Sequence, residues 1–286
     1  MGNHQEVKRY ISVPSRTKEI LEKYGLRAKK GYGQNFLVDP VITERCAQQC
    51  HPEGAVIEIG PGIGSLTEML ARYAQHVTAF EIDEALIPVL EDTLSDYDNV
   101  EVRLEDFLQT DLDAVVKELK EKYGTVTVCA NLPYYITTPV LFKIFENAEI
   151  PYITVMVQKE VGDRFAARAN DSEYSALSAE GQYLYEVEKL FQVPGRSFNP
   201  SPSVDSVIIQ FTRHETDETA EEIREFFAFV RACFKQRRKT IYNNLREYLG
   251  DPQKAREVLE RAGIDPSVRA QSLRHEDLRK IYGEIK

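Results

Sequence analysis

Ala55-Val56-Ile57-Glu58-Ile59-Gly60-Pro61-Gly62-Ile63-Gly64-Ser65 is an apolar, β-branched run, broken only by Glu58, that ends in three alternating glycines. The run reads as a buried strand, the glycines as a tight turn, and Ser65–Tyr73 as the helix that follows. A glycine-rich turn between strand and helix lets a ligand approach bare backbone at a helix N-terminus.

The same texture repeats downstream. His76–Asp83 reads as a second strand and Glu84–Leu94 as its crossover helix. Val100–Leu104 is a third strand, followed by Glu105-Asp106 and a helix to about Tyr123. Thr125–Ala130 is a fourth strand, opening into Asn131-Leu132-Pro133-Tyr134. A helix over Pro139–Asn147 leads to a fifth strand, Tyr152–Val157. Glu186–Val193 and Val204–Thr212 are expected to close the sheet, separated by the proline-rich Phe198–Pro202. Such alternation specifies an α/β fold with a mainly parallel, Rossmann-like sheet of seven strands and helices on both faces.

Upstream lie a short helical stretch around Ser15–Tyr24 and the basic Arg27-Ala28-Lys29-Lys30-Gly31. Asp39 then reads as N-cap, with Pro40 at the first position of a helix running to Cys50. Past Arg213 an acidic stretch, Glu215–Glu222, reads as a linker or helix start, and the chain is helical from there to Lys286. The expected organisation is an N-terminal arm (1–33), an α/β domain (34–213) and a small all-helical C-terminal domain (214–286).

Composition excludes several classes. With 286 residues, 42% hydrophobic and 29% charged, the chain can bury a core without staples and is neither disordered nor fibrous. No apolar run approaches the roughly 18 residues of a membrane helix. Glu6 breaks a myristoylation pattern and no signal-peptide core follows, so a cytoplasmic protein is expected. Cys46 and Cys50 share a helix face without a second Cys or His pair, which favours packing over zinc, and no metal is expected. A net charge of −10 argues against indiscriminate coating of nucleic acid, though local basic patches still count.

The cofactor can be narrowed. Glu81 lies 21 residues after Gly60, at the end of the second strand, where a carboxylate can accept from ribose hydroxyls. The turn is G-x-G-x-G rather than the G-x-G-x-x-G of pyrophosphate binders. Asp106, after the third strand, can accept from an adenine amino group. A sulfonium amino-acid cofactor tolerates these carboxylates better than a diphosphate does, so S-adenosylmethionine fits better than NAD.

Asn131-Leu132-Pro133-Tyr134 falls at the sheet edge where open α/β folds hold ligands. Taken with other segments it resembles a known family. Gln34-Asn35-Phe36-Leu37, Glu58-Ile59-Gly60-Pro61-Gly62, Asn131–Tyr134, Gln158-Lys159-Glu160-Val161, Phe198-x-Pro200-x-Pro202-x-Val204-Asp205-Ser206 and Phe234-x-x-Arg237-Arg238-Lys239-Thr240 occur in register. Together they resemble the ribosomal RNA adenine dimethyltransferases, in particular those that modify two adjacent adenosines near the 3′ end of small-subunit rRNA. The resemblance implies that S-adenosylmethionine touches Asn35, Leu37, Gly60, Glu81, Asp106 and Asn131, with the N-terminal segment as a lid. It also implies an rRNA or immature small-subunit partner, with a monomer expected. One departure is Ser175 after Tyr174, where the family usually shows glycine.

The chemistry of such a site follows from the nucleophile. Adenine N6 is weak because its lone pair is delocalised into the ring. Asn131 and a backbone carbonyl near Leu132 can accept its two N–H bonds, Pro133 stiffens the turn, and Tyr134 offers a stacking face. Phe198 resembles a second wall for the extruded base. No general base is demanded, because the methylated nitrogen is acidic enough to lose its proton to water.

RNA contacts are expected on the C-terminal part. Arg231–Arg246 holds no acidic residue. On an unbroken helix Arg231, Lys235, Arg238, Lys239 and Arg246 would share an arc of about 100°. Arg237 departs from it, so either a carboxylate partner for Arg237 or a helix break near Arg238 is expected. Arg27, Lys29 and Lys30 form a second candidate patch. Two rivals stay open: a large-subunit rRNA or DNA adenine methyltransferase, and a non-catalytic assembly or transcription factor on the same fold.

Overall fold

The computed structural model describes residues 9–26 and 35–286. The patch of Arg27, Lys29 and Lys30 lies outside the described residues. The chain divides into two compact units: one holds the chain up to Lys159 together with Lys189–Gln210, the other Glu160–Glu188 with Phe211–Lys286. A cut at Arg213 alone does not describe this division, because Glu160–Glu188 belongs with the C-terminal helices.

The first unit opens with α1 (Pro14–Lys23), a two-residue strand β1 (Phe36–Leu37) and α2 (Pro40–Gln49). Asp39 caps α2, its Oδ1 accepting from the Val41 and Ile42 amides at 3.1 and 3.4 Å. Cys46 and Cys50 are buried in the core with Cys129. Then come β2 (Ala55–Ile59), α3 (Ser65–Tyr73), β3 (His76–Glu81), α4 (Ile87–Thr93), β4 (Val100–Leu104), α5 (Leu112–Tyr123), β5 (Val126–Asn131), α6 (Thr137–Glu146) and β6 (Tyr152–Gln158). Every residue of β2 is buried, as a strand covered on both faces must be. The helix expected directly after Asp106 starts only at Leu112. The Asp106 carboxylate turns the chain back by accepting from the Leu108 amide at 2.9 Å, and Asp111 caps the helix instead. The helix expected from Pro139 begins two residues earlier, where Thr137 Oγ1 donates to the Pro133 carbonyl at 3.1 Å.

The remaining elements are α7 (Lys159–Ala166), α8 (Ala176–Leu184), β7 (Tyr185–Val193), β8 (Phe198–Asn199), β9 (Ser206–Arg213), α9 (Ala220–Phe234), α10 (Ile241–Leu249), α11 (Pro252–Ala262) and α12 (His275–Gly283). The main sheet has seven strands in the order β4-β3-β2-β5-β6-β9-β7, and the β4/β3, β3/β2, β2/β5 and β5/β6 pairs are parallel. The chain fills one side of β2 with β3 and β4, then crosses to the other with β5. The crevice at the carboxyl ends of β2 and β5 is therefore the topological switch point, where such sheets bind ligands.

In the second unit the helix breaks around Arg238, one of the two alternatives expected there, so the single arc of basic residues is not formed. Helix α9 stops at Phe234, and α10 restarts after Thr240, whose hydroxyl accepts from the Asn243 amide at 3.4 Å. Arg237 meets no carboxylate in this turn: its Nη2 donates to the Ser172 carbonyl at 2.7 Å. Ser175, in place of the usual glycine, is extended (φ −153°, ψ −179°) and opens α8, with its amide donating to Ser178 Oγ at 3.1 Å. Any residue adopts that backbone, so glycine is not required there. Gly181 in α8 packs on Phe165, where a Cβ would come within 3.0 Å of Cδ1.

Candidate active site

A cavity of about 250 Å³ opens at the carboxyl ends of β2, β3, β4 and β5. At the end of β2, Gly60 and Gly62 take φ of +70° and +62°, a region costly for any residue with a Cβ. The turn closes with Gly64 N–H on the Pro61 carbonyl at 3.0 Å and delivers the N-terminus of α3 to the cavity.

Glu81 ends β3 and is held by backbone. Its Oε1 accepts from the Ile82 and Asp83 amides at 2.9 and 2.8 Å, and its Oε2 from Gly62 at 3.4 Å. Burial raises its pKa above the ordinary carboxylate range, and these three amides counter that. Asp106 reaches the same cavity beyond β4.

Asn131 is the last residue of β5, in register with Met156 of β6. The Leu132 amide bonds the Met156 carbonyl at 3.1 Å, so the strand continues through the first residue of the turn. The Asn131 side chain makes no hydrogen bond with the described residues. Tyr134, half-buried, meets Ser206 at the start of β9, with Oη and Oγ 2.9 Å apart. The opposite wall comes from a separate two-stranded ladder. Antiparallel pairing of β1 with β8 sets Leu37 against Phe198, and the Val38 amide bonds the Ser197 carbonyl at 2.8 Å. Asn35, Leu37, Gly60, Glu81, Asp106, Asn131, Leu132, Pro133, Tyr134 and Phe198 all line this one cavity.

Two further groups went unread in the sequence. Glu58, inside β2, and Ser65, first residue of α3, line the cavity, and their buried Oε2 and Oγ have no partner among the described residues. Burial pushes the Glu58 carboxyl up to about 8. The Thr67 hydroxyl nearby offsets part of this, and the Glu81 carboxyl adds to it. The available signal was a charged residue within an otherwise apolar buried strand.

The basic residues of the second unit separate into two groups. Arg231 makes a two-point contact with buried Glu180 at 2.9 and 3.2 Å, and Lys235 pairs with Glu247 at 2.7 Å. The acid missing from the stretch itself is thus supplied by α8 and by α10. Arg238, Lys239 and Arg246 are exposed. Arg246 and Arg256, on α10 and α11, lie 5.9 and 5.4 Å from the ring centroid of Tyr242, and no ion pair among the described residues engages either. Tyr242 and Arg256 were not singled out from the sequence, because their proximity depends on how α10 packs on α11. Among the described residues no His, Cys, Asp and Glu group could hold a metal ion, and no helix is long and apolar enough to cross a membrane.

Comparisons with known proteins place the chain in a family. Residues 25–286 match the family model described as ribosomal RNA adenine dimethylase. The chain is 46% identical over 285 residues to a ribosomal RNA small subunit methyltransferase A of Staphylococcus aureus, covering 96% of each chain. It is 47% identical over 285 residues to a protein of the same name from Bacillus cytotoxicus, covering 96% of this chain and 97% of the other. Among solved structures, a dimethyladenosine transferase from Plasmodium falciparum superposes with a TM-score of 0.71 at 28% identity, over 87% of this chain and 97% of that one. The 23S rRNA methyltransferase ErmE gives 0.67 at 27%, over 87% and 99%.

Proposed function

Because this chain belongs to the ribosomal RNA adenine dimethylase family, we propose that it methylates the N6 amino groups of two adjacent adenosines in the 3′-terminal hairpin loop of 16S rRNA. The donor is S-adenosylmethionine, and the enzyme acts as a cytoplasmic monomer during small-subunit assembly. The observation that carries this reading is the convergence of the Gly60 turn, Glu81, Asp106, the Asn131–Tyr134 segment and Phe198 on one cavity at the switch point of the sheet.

The cavity suits that cofactor chemically. Glu58 Oε2 and Ser65 Oγ are buried polar atoms that need partners, and an amino-acid moiety offers an ammonium and a carboxylate. The half-buried backbone of Gly60 and Gly62, without side chains, lets a ligand lie close to the chain. Glu81 would accept from ribose hydroxyls and Asp106 from the adenine amino group, and Asn35, just before β1, and Leu37, within it, would cover the cofactor. Bound there, S-adenosylmethionine supplies an electrophilic methyl group on a sulfonium.

The chain's own residues then hold the nucleophile. The Asn131 side-chain carbonyl accepts one N–H of the target amino group. The Pro133 carbonyl is already taken by the Ile136 amide and Thr137 Oγ1, so the Leu132 carbonyl takes the other. Two acceptors out of the ring plane favour a pyramidal nitrogen whose lone pair faces the methyl. Tyr134 and Phe198 stack the extruded base, a contact worth about 1–3 kcal/mol per base. As the N–C bond forms, the C–S bond to the donor breaks and the nitrogen loses a proton to solvent. Positioning of this kind supplies on the order of 7–11 kcal/mol of a barrier. Residues 214–286, with Arg231, Lys235, Arg238, Lys239 and Arg246 as candidate contacts, serve RNA recognition, and the arm at 1–33 supports it.

The test is tritiated methyl transfer to unmethylated small and large ribosomal subunits, followed by mapping of the modified nucleotides. Label in two adjacent adenosines of 16S rRNA is expected. Label confined to large subunits or to DNA, or none, removes the reading.

A further inference from the structure

We propose that Lys143, on α6, is the positioning residue for the adenosine end of the cofactor cavity, a role that rests on the cavity being an S-adenosylmethionine site. Its Nζ donates to the Leu108 carbonyl at 3.0 Å and to the Thr110 carbonyl at 2.6 Å. Both belong to the turn that follows β4. That turn winds around Asp106: the Gln109 and Thr110 amides bond the Asp106 carbonyl at 2.8 and 3.2 Å, and the Leu108 amide bonds Asp106 Oδ1. The turn is short and irregular, and its outward carbonyls have no strand or helix to satisfy them. Lys143 satisfies two of them with one ammonium, a charge-assisted arrangement stronger than a neutral bond. None of the ion pairs among the described residues engages Lys143.

The ammonium acts on the cavity wall. It lies 5.9 Å from the ring centroid of Phe107, and Phe107 meets Phe80 edge-on at 5.5 Å. Phe80, Asp106, Phe107 and Leu108 all line the cavity. The other end of α6 is rooted on the Asn131–Tyr134 turn, through the Ile136 amide and Thr137 Oγ1 on the Pro133 carbonyl. One helix of ten residues thus spans from the acceptors for the target base to the turn that presents Asp106. Lys143 sets where Asp106 stands relative to Asn131 while touching neither.

The experiment uses the full chain with S-adenosylhomocysteine as probe, titrated by calorimetry. Lys143→Met is expected to bind it about tenfold more weakly than wild type and Lys143→Arg within about threefold, as expected for charged donors to carbonyls. In Lys143→Met, amide exchange across Leu108–Thr110 is expected to speed up, with affinity for a 16S 3′-terminal hairpin RNA unchanged. Wild-type affinity in Lys143→Met overturns the proposal. So does an equal loss of probe and RNA binding that Arg does not rescue, which marks general support of the fold. A wild-type chain that does not bind the probe overturns the cofactor reading itself, an outcome distinct from either.

Discussion

Gly60 and Pro133 stand in van der Waals contact range: a Cβ built on Gly60 would lie 3.7 Å from both Cγ and Cδ of Pro133. The turn assigned to the methyl donor and the turn assigned to the acceptor base are therefore separated by no more than the space of one added carbon. An added methyl fits this space without a clash, which isolates the backbone as the sensitive element. With φ at +70°, Gly60→Ala must adopt a region costing about 1–2 kcal/mol or shift the turn. The expected outcome is about tenfold weaker binding of S-adenosylhomocysteine by calorimetry and a melting temperature lower by a few degrees. Unaltered affinity would show that the turn does not shape the cofactor site.

The Asn131 side chain, the proposed acceptor, is hydrogen-bonded to no described residue, so its removal is not expected to disturb the fold. Asn131→Ala is expected to leave S-adenosylhomocysteine affinity within about tenfold while reducing methyl transfer below detection, as loss of nucleophile positioning predicts. Tyr134 divides differently. Tyr134→Phe keeps the stacking face and loses only the contact with Ser206, so a loss of about fivefold in kcat/KM is expected, the scale of one hydrogen bond. Tyr134→Ala loses the face as well and is expected to fall about tenfold further. Methylation by Asn131→Ala within a few-fold of wild type would remove the proposed chemistry.

The parts of this site that were legible in sequence are those carried by single elements. The parallel strands read as mainly apolar runs whose carboxyl ends meet the cavity, so Gly60, Glu81, Asp106 and Asn131 could be placed from spacing. The pairing of Leu37 with Phe198 could not, because strands of two residues carry no period and their partners are 161 positions apart in the chain. The break between α9 and α10 was legible only as one of two alternatives, raised by Arg237 falling outside the basic arc. Charge periodicity continues across it, and Thr240 before Ile241 was the capping signal that outweighed the pattern. The helices α7 and α8 gave too short a repeat between loop-forming residues to stand out.

Glu58 is expected to make binding of the proposed cofactor depend on pH. In the folded chain burial holds the Glu58 carboxyl up at about 8, against an ordinary value of 4.5 in the unfolded chain. The stability this raised pKa contributes is complete below the ordinary carboxylate range. It is lost as pH rises through about 8, at up to roughly 1.4 kcal/mol per pH unit. A ligand ammonium favours the ionised form, so binding releases the proton and affinity for S-adenosylhomocysteine is expected to rise from about pH 6.5 to about pH 8.5. Glu58→Gln imitates the protonated state and is expected to flatten both profiles, weakening binding most at the alkaline end. Calorimetry in buffers of different ionisation enthalpy counts the released proton; a slope that survives in Glu58→Gln assigns it elsewhere.

Arginines of the helical unit separate by what they touch. Arg231 faces Glu180, which is 1% exposed and whose carboxyl burial pushes up to about 7 against the pull of the guanidinium. Removing Arg231 leaves a buried acid unpaired. Because the guanidinium is 56% exposed, the expected cost of Arg231→Ala is nearer about 1–3 kcal/mol than the larger loss of a fully buried pair. Arg246 and Arg256 are engaged by no carboxylate among the described residues and flank Tyr242, an arrangement that suits a phosphate backbone with a base stacked on the ring. Arg246→Ala and Arg256→Ala are each expected to reduce the log–log salt slope of RNA binding by about 0.7 with little change in melting temperature. Lys235→Ala, whose ammonium is engaged by Glu247, is expected to change the slope less. If Arg231→Ala instead flattens the slope at unchanged stability while the Arg246 and Arg256 variants bind as wild type, the RNA lies along α9 rather than along α10 and α11.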